Sequence, residues 1–184
     1  LILATNENNI LSRFFNTGEY AISAVKRTHS PSMDIQVASN FERYLYYMVN
    51  KDPARVSDYM AQFQATGSIQ VPHTADVPFC ADSADNADTL NTIARYHRDH
   101  NYLLDPHTAA GVAVAERFLM PDTPTVCLAT AHPAKFPAAI TEAIGENIAH
   151  HPRIDGILEM DTRCERLPAT KEAVETFMRE KLDG

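Results

Sequence analysis

Side chains able to do chemistry gather in three short runs. The first is Leu128-Ala129-Thr130-Ala131-His132-Pro133-Ala134-Lys135-Phe136-Pro137, which puts a hydroxyl, an imidazole and an ammonium close together. Pro137 has no N–H to give the carbonyl of residue 133, so one helix does not hold both Pro133 and Pro137. A helix starting at Pro137 leaves 130–136 as a loop after the apolar run 124–130, which reads as a buried strand. Open α/β sheets bind ligands at that end of their strands. A strand-end threonine followed by a capping histidine accounts for the same residues.

The second run is Asp105-Pro106-His107-Thr108-Ala109-Ala110-Gly111. Asp-Pro is a cap followed by proline at the first helical position. Such a start offers N–H groups and the positive end of the helix dipole, and His107 and Thr108 add polar groups there. Gly111 costs about 1 kcal/mol against Ala inside a helix, which points to close packing on its face. A well-capped buried helix is the alternative. The third run, Ser30-Pro31-Ser32-Met33-Asp34, offers hydroxyls to an anion, or simply serines that cap a helix-entry loop. His97 and His100 flank Arg98 and Asp99 without a third ligand, so they read as a solvated helix end and no metal is expected. His150-His151 before Pro152 reads as a loop. The sequence holds no G-x-S-x-G, H-E-x-x-H or P-loop pattern.

These runs need elements to position them. Residues 1–5 read as a buried strand, and Asn6 to Asn9 as a turn or cap. Ile10, Leu11, Phe14 and Phe15 follow a helical period that Gly18 should close in the left-handed conformation. After a loop over 26–40, Ser39 and Glu42 have capping-box spacing, and Phe41, Leu45 and Met48 give a helix to about residue 50. Asp52-Pro53 opens a helix to Gly67. Residues 68–84 read as irregular with one short strand, 85–100 as a helix on Leu90, Ile93, Ala94 and His97, and 102–104 as a short strand. Further helices are expected from Asp105 to about residue 119, from Pro137 to about residue 144, and over 170–182 with Val174, Phe177 and Met178 inward. Strands alternate with helices at the two ends while 31–100 is mainly helical, which predicts an α/β domain (1–30 with 101–184) interrupted by a helical insertion.

The length of 184 residues suits one domain with a substantial core, and 45% hydrophobic with 22% charged residues is ordinary for a soluble globular chain. No apolar run approaches the roughly 18 residues of a membrane span, and no secretory signal is legible. A net charge of −8 opposes binding to nucleic acid or an anionic membrane, while leaving room for an anionic small substrate at a local positive site. Cys80, Cys127 and Cys164 form neither a disulfide framework nor a zinc pattern and read as buried reduced thiols of a cytoplasmic protein. The chain starts inside an apolar strand, so an upstream half is expected, and without it the open strand edge predicts self-association.

Five runs occur in the order found in threonine synthases. They are Thr5-Asn6-Glu7-Asn8, Ser30-Pro31-Ser32-Met33-Asp34-Ile35, Ser39-Asn40-Phe41-Glu42-Arg43, Asp105-Pro106-His107-Thr108-Ala109 and Leu128-Ala129-Thr130-Ala131-His132-Pro133-Ala134-Lys135-Phe136. The chain resembles the bacterial and fungal branch of that family from residue 1 to about residue 139, with Ala110 where the family often has Val and Ala38 where Pro is frequent. The resemblance implies the C-terminal part of a type II pyridoxal-phosphate fold, like that of the tryptophan synthase β subunit. It implies conversion of O-phospho-L-homoserine and water to L-threonine and phosphate. The family's Schiff-base lysine and phosphate-holding loop lie upstream of these runs, so no catalytic lysine is expected here and the chain alone should be inactive. Lys135 matches the family's Ala-Lys-Phe run instead. Thr130 matches the residue whose hydroxyl meets the pyridine nitrogen of the cofactor, a contact that leaves the ring mostly neutral where a carboxylate would keep it protonated. Ser30, Ser32, Asp34, His107, His132 and Lys135 are the expected substrate-side groups. The rival readings are a threonine synthase-like protein without that activity and a stand-alone binding domain.

Overall fold

A computed structural model describes residues 1–72 and 79–182, so positions 73–78 of the segment expected to be irregular lie outside the described residues. Strand β1 (Ile2–Thr5) pairs in parallel with β4 (Cys80–Ser83), Ile2 opposite Cys80 and Thr5 opposite Ser83. Parallel strands need a long crossover, and everything between them supplies it. Helix α1 (Ile10–Thr17) comes first, then the antiparallel pair of β2 (Glu19–Ala21) with β3 (Ser68–Gln70), and between those two strands α2 (Phe41–Met48) and α3 (Pro53–Thr66).

The helical period of Ile10, Phe14 and Phe15 does what it predicts. All three are buried in a core with Tyr20, Phe41, Leu45, Phe63 and Ile69. Tyr20 is wholly buried, stacks on Phe41 at 3.8 Å between centroids, and accepts the Ala38 N–H at 2.9 Å. Burial pushes the Tyr20 phenol above its ordinary value. Gly18 ends α1 at φ 78° with its N–H on the Phe14 carbonyl. A Cβ there would lie 2.2 Å from the Val71 carbonyl oxygen, so both conformation and space demand glycine. Asp52 caps α3 through the N–H groups of Ala54 and Arg55, as its sequence predicts. The capping box expected from Ser39 and Glu42 does not form, because Asn40 is the residue preceding α2 and makes no side-chain cap.

Helix α5 (Pro106–Ala115) is the central element of the second half. It packs on β1, on β4 and on α4 (Asn86–His100), which in turn contacts α6 (Pro137–Ile144). Burial of nine of its ten residues explains why α5 is apolar all round rather than amphipathic. Helix α4 begins with a capping box between Asp85 and Asp88. Arg117, just past α5, bonds Asp82 at 2.5 Å and Asp88 at 2.7 Å, tying the end of α5 to β4 and α4. Partial burial pushes the Asp82 carboxyl up, but the Arg117 hydrogen bond and charge, with the Ser83 N–H, bring it below its usual value.

Several expectations fail, and most fail for want of a ladder partner. Residues 124–130 are exposed and without regular structure, with Val126 81% and Leu128 79% exposed. No described strand lies beside them to hold their backbone groups. Residues 102–104 likewise form no strand, although Leu104 is buried. β1 is half-buried rather than covered on both faces, β4 being its one partner among the described residues. Two strands stand where one was expected over 68–84, and β4 leaves the predicted helical insertion to join β1. Among the described residues nothing lies within 4 Å of where a Cβ on Gly111 would sit, so none of them packs closely on it as inferred. All three cysteines are exposed, Cys127 because it lies in the unpaired 124–130 segment.

A second compact unit begins at Pro152. It holds α7 (Pro152–Leu158) and α8 (Lys171–Leu182), while residues 150–151 of the preceding unit are loop, as expected. α8 has no buried residue; Val174 and Met178 are exposed, and Phe177 instead carries the Lys181 ammonium 5.4 Å from its ring centroid. No helix among the described residues is long and apolar enough to cross a membrane.

Candidate active site

The turn after β1 is the organising centre of the first loop. Asn6 and Asn8, though polar, are 1% and 2% exposed. Asn6 Oδ1 accepts the backbone and side-chain N–H of Asn8 at 2.9 and 3.1 Å. The Asn6 amide donates toward Thr28 Oγ1 and Asp34 Oδ1, both at 2.8 Å, and toward Ser30 Oγ at 3.0 Å. Two hydrogens are shared among these acceptors, a crowded arrangement that only a fixed loop maintains. Asn8 donates to the Lys26 carbonyl at 2.9 Å and to Asp34 Oδ1 at 3.0 Å, and accepts the Lys26 N–H at 2.9 Å. Asp34 completes the network by accepting the Thr28 hydroxyl at 2.7 Å on Oδ1 and the Thr28 N–H at 3.0 Å on Oδ2.

The same loop is tied to three helices. His29 donates its N–H to Asn86 at the start of α4, and its ring lies 3.5 Å from Glu142 of α6. Ser32 donates its N–H to His107 Nε2 at 3.1 Å, which joins the short 3-10 turn Pro31–Met33 to the first turn of α5. His107 Nδ1 lies 3.1 Å from Asp105 Oδ1. One ring nitrogen accepts and the other must donate, so this pattern assigns a neutral imidazole with its hydrogen on Nδ1. Asp105 also caps α5, accepting the N–H groups of His107 and Thr108 and the Thr108 hydroxyl. The helix N–H groups that the sequence offered to an anion are therefore already satisfied by Asp105.

The other loop approaches the same imidazole from the opposite side of the sequence. The Phe136 ring packs on His107 at 4.7 Å between centroids. Ahead of it, Pro133–Lys135 forms a 3-10 turn whose Ala134 N–H donates to His132 Nδ1 at 3.2 Å. His132 is the capping histidine that its sequence allowed, and its ring also meets His151 edge-on at 5.0 Å. His132, Ala131 and Pro133 line a cleft of about 370 Å³ together with Asp105 and Thr108.

The expected site residues thus divide into two groups. Ser30, Asp34 and His107 spend their polar atoms inside the protein, and Ser30 and His107 are buried. Thr130, Ser32, His132 and Lys135 are exposed. Among the described residues the side chains of Thr130, Ser32 and Lys135 have no hydrogen-bond or ion-pair partner. Asn6, Asn8, Thr28 and Asp105 were not among the expected site residues, yet they shape both loops. Their signal was a pair of asparagines two apart at a strand's carboxyl end, which also fits an ordinary turn.

The family described as threonine synthase, C-terminal, matches residues 108–178, which include most of α5 and the whole 130–136 loop. Threonine synthase from Corynebacterium glutamicum is 37% identical over 189 residues, covering 97% of this chain and 39% of that protein. The crystal structure of PLP-bound threonine synthase from Brucella melitensis superposes with a TM-score of 0.87 at 36% identity, over 98% of this chain and 40% of that one. Threonine synthase from yeast superposes at 0.82 with 32% identity, over 100% of this chain and 42% of that structure. The chain therefore spans about two fifths of the length of the relatives it matches. Sequence, α/β fold and the order of the two loops all point one way: this chain belongs to the threonine synthase family and corresponds to its C-terminal portion.

Proposed function

We propose that the whole protein is a threonine synthase, a pyridoxal-phosphate-dependent lyase that converts O-phospho-L-homoserine and water to L-threonine and phosphate in the cytoplasm. The observation that carries this reading is the 130–136 loop. It is anchored at one end by Phe136 on His107 and presents Thr130 with a hydroxyl that has no partner among the described residues. A neutral hydroxyl at that place fits the ring nitrogen of the cofactor, because it can hydrogen-bond without forcing protonation. When bound, the cofactor supplies the electron sink of the reaction. Lys135, Ser32 and His132 would face the anionic substrate with an ammonium, a hydroxyl and the free Nε2. Ser30, Asp34 and His107 would serve the substrate side by holding the loops in shape. Residues 1–30 and 101–184 would belong to the cofactor-binding α/β part and 31–100 to a mainly helical insertion, from which β4 returns to β1.

The Schiff-base lysine is assigned to the part of the family outside the span matched here, so the chain alone should neither hold the cofactor covalently nor turn over. The test is phosphate and threonine release by the full-length polypeptide supplied with cofactor and O-phospho-L-homoserine. Thr130→Val keeps the shape and removes the hydroxyl. It should weaken cofactor retention by about two- to tenfold, the worth of one neutral hydrogen bond. No turnover by the wild-type protein would favour a threonine synthase-like protein without that activity. Turnover with cofactor affinity unchanged by Thr130→Val would remove Thr130 from the ring-nitrogen role.

A further inference from the structure

We propose that His107 is a positioning residue that sets both site loops at once, through a neutral imidazole whose tautomer is fixed by Asp105. The ring is 8% exposed and neither nitrogen is left for a ligand. Nδ1–H is committed to Asp105, itself 2% exposed and held by two backbone N–H groups and the Thr108 hydroxyl. That leaves Nε2 as an obligatory acceptor, and what it accepts is the backbone N–H of Ser32, not a side chain. A backbone donor fixes the path of the Pro31–Met33 turn and so the direction in which the Ser32 hydroxyl leaves it. On its flank the ring carries Phe136, which fixes the far end of the loop bearing Thr130, His132 and Lys135. The two loops are about a hundred residues apart in sequence. One imidazole therefore sets the spacing between the hydroxyl of Ser32 and the groups of the second loop. A ring of this size with an acceptor at its tip and a donor at its base is a property of histidine in one tautomer.

The consequence for function rests on the threonine synthase reading, and the test separates the two. In the full-length polypeptide, His107→Asn keeps an N–H donor near Asp105 but loses the acceptor for Ser32. His107→Gln reaches far enough to return a carbonyl oxygen to the Ser32 N–H. Both lose the ring on Phe136 equally. Hydrogen exchange of the Ser32 amide should be roughly five- to tenfold faster in His107→Asn and near wild type in His107→Gln, as expected for loss or retention of one net hydrogen bond. KM for O-phospho-L-homoserine should rise in the same order with kcat little changed. In the wild type, nitrogen NMR of the His107 ring should show hydrogen on Nδ1 and none on Nε2, a readout that needs no variant to fold. Equal exchange in both variants, or hydrogen on Nε2 in the wild type, would overturn the proposal. A wild-type protein without turnover defeats the functional reading alone, since the exchange contrast and the tautomer still decide the role of His107.

Discussion

Asp105 is the residue on which the second half of the site most depends, and its removal can be costed. The carboxylate is 2% exposed and accepts the N–H groups of His107 and Thr108, the His107 Nδ1–H and the Thr108 hydroxyl. Asp105→Ala removes a cap, a loss typically of about 0.5–2 kcal/mol. It also strands the His107 ring donor in a buried place, and a buried unsatisfied group costs about 1–3 kcal/mol. The sum is about 3 kcal/mol, a large part of the roughly 5–15 kcal/mol by which a domain is stable. Asp105→Asn is a sharper test. Its carbonyl oxygen can take the place of Oδ1 and keep the donors from His107 and Thr108. Its amide then faces Thr108 Oγ1, and a hydroxyl can turn from donor to acceptor. What remains is the loss of charge at the helix start, about 0.3–1 kcal/mol. Urea unfolding followed by far-ultraviolet circular dichroism reads both variants. An Ala variant within about 0.5 kcal/mol of wild type, or an Asn variant as damaging as Ala, would refute this role for Asp105.

Three further outcomes follow from the fold. Gly111→Ala should stabilise by up to about 1 kcal/mol, since a Cβ there meets nothing within 4 Å among the described residues; a lower unfolding midpoint would mean that something does pack on that face. Cys80, Cys127 and Cys164 should all be alkylated without denaturant, but at Cys127 partial burial and the charge of Glu116 push the thiol above its ordinary value. Its rate with iodoacetamide should therefore keep climbing at alkaline pH beyond that of a free cysteine peptide, and a superimposable pH profile would contradict this. The 184-residue chain should self-associate through Leu1, Val126 and Leu128, which are 82%, 81% and 79% exposed; a sharp monomer in light scattering would show that these residues repack instead.

What the sequence made legible was local punctuation. Asp52-Pro53 and Asp105-Pro106 opened helices where they should, and Gly18 and Gly67 closed helices in the left-handed conformation. These signals work because cap, proline ring and glycine act within one turn. Strands were less legible, since a strand is defined by its neighbours. Residues 124–130 have the apolar composition of a buried strand but no described partner, whereas β4 was hidden in an irregular stretch and found its partner 78 residues away in sequence, Ile2 opposite Cys80. The site was legible as a list of residue types, from Thr130 to Lys135 and from Ser30 to Asp34. Which of them face outward was not, because that depends on donors and acceptors contributed by Asn6, Asn8, Thr28 and Asp105.

Asp34 shows how far that dependence can be pressed. Like Asp105 it is a carboxylate with both oxygens occupied, so a charge-removing substitution looks equivalent at the two sites. The partners say otherwise. Asp34 Oδ1 accepts from Asn6, Asn8 and the Thr28 hydroxyl, so the carbonyl of an Asp34→Asn side chain must stay there to keep three bonds. Its amide then faces the Thr28 backbone N–H, which lies 3.0 Å from Oδ2 in the wild type. Two donors now oppose each other, and a backbone N–H cannot reverse as the Thr108 hydroxyl can. Turning the amide round only moves the conflict to the amide donors of Asn6 and Asn8. Asp34→Asn should therefore cost about 1–2 kcal/mol, the low part of the range for an unmet polar group because the residue is only half-buried. The loss should appear locally, as faster amide exchange at Thr28 and earlier proteolysis within 23–36, while the α5 end of the site stays protected. If Asp34→Asn leaves Thr28 as protected as in the wild type, the network does not hold the loop, and Ser30 and Asp34 regain a claim to contact substrate directly.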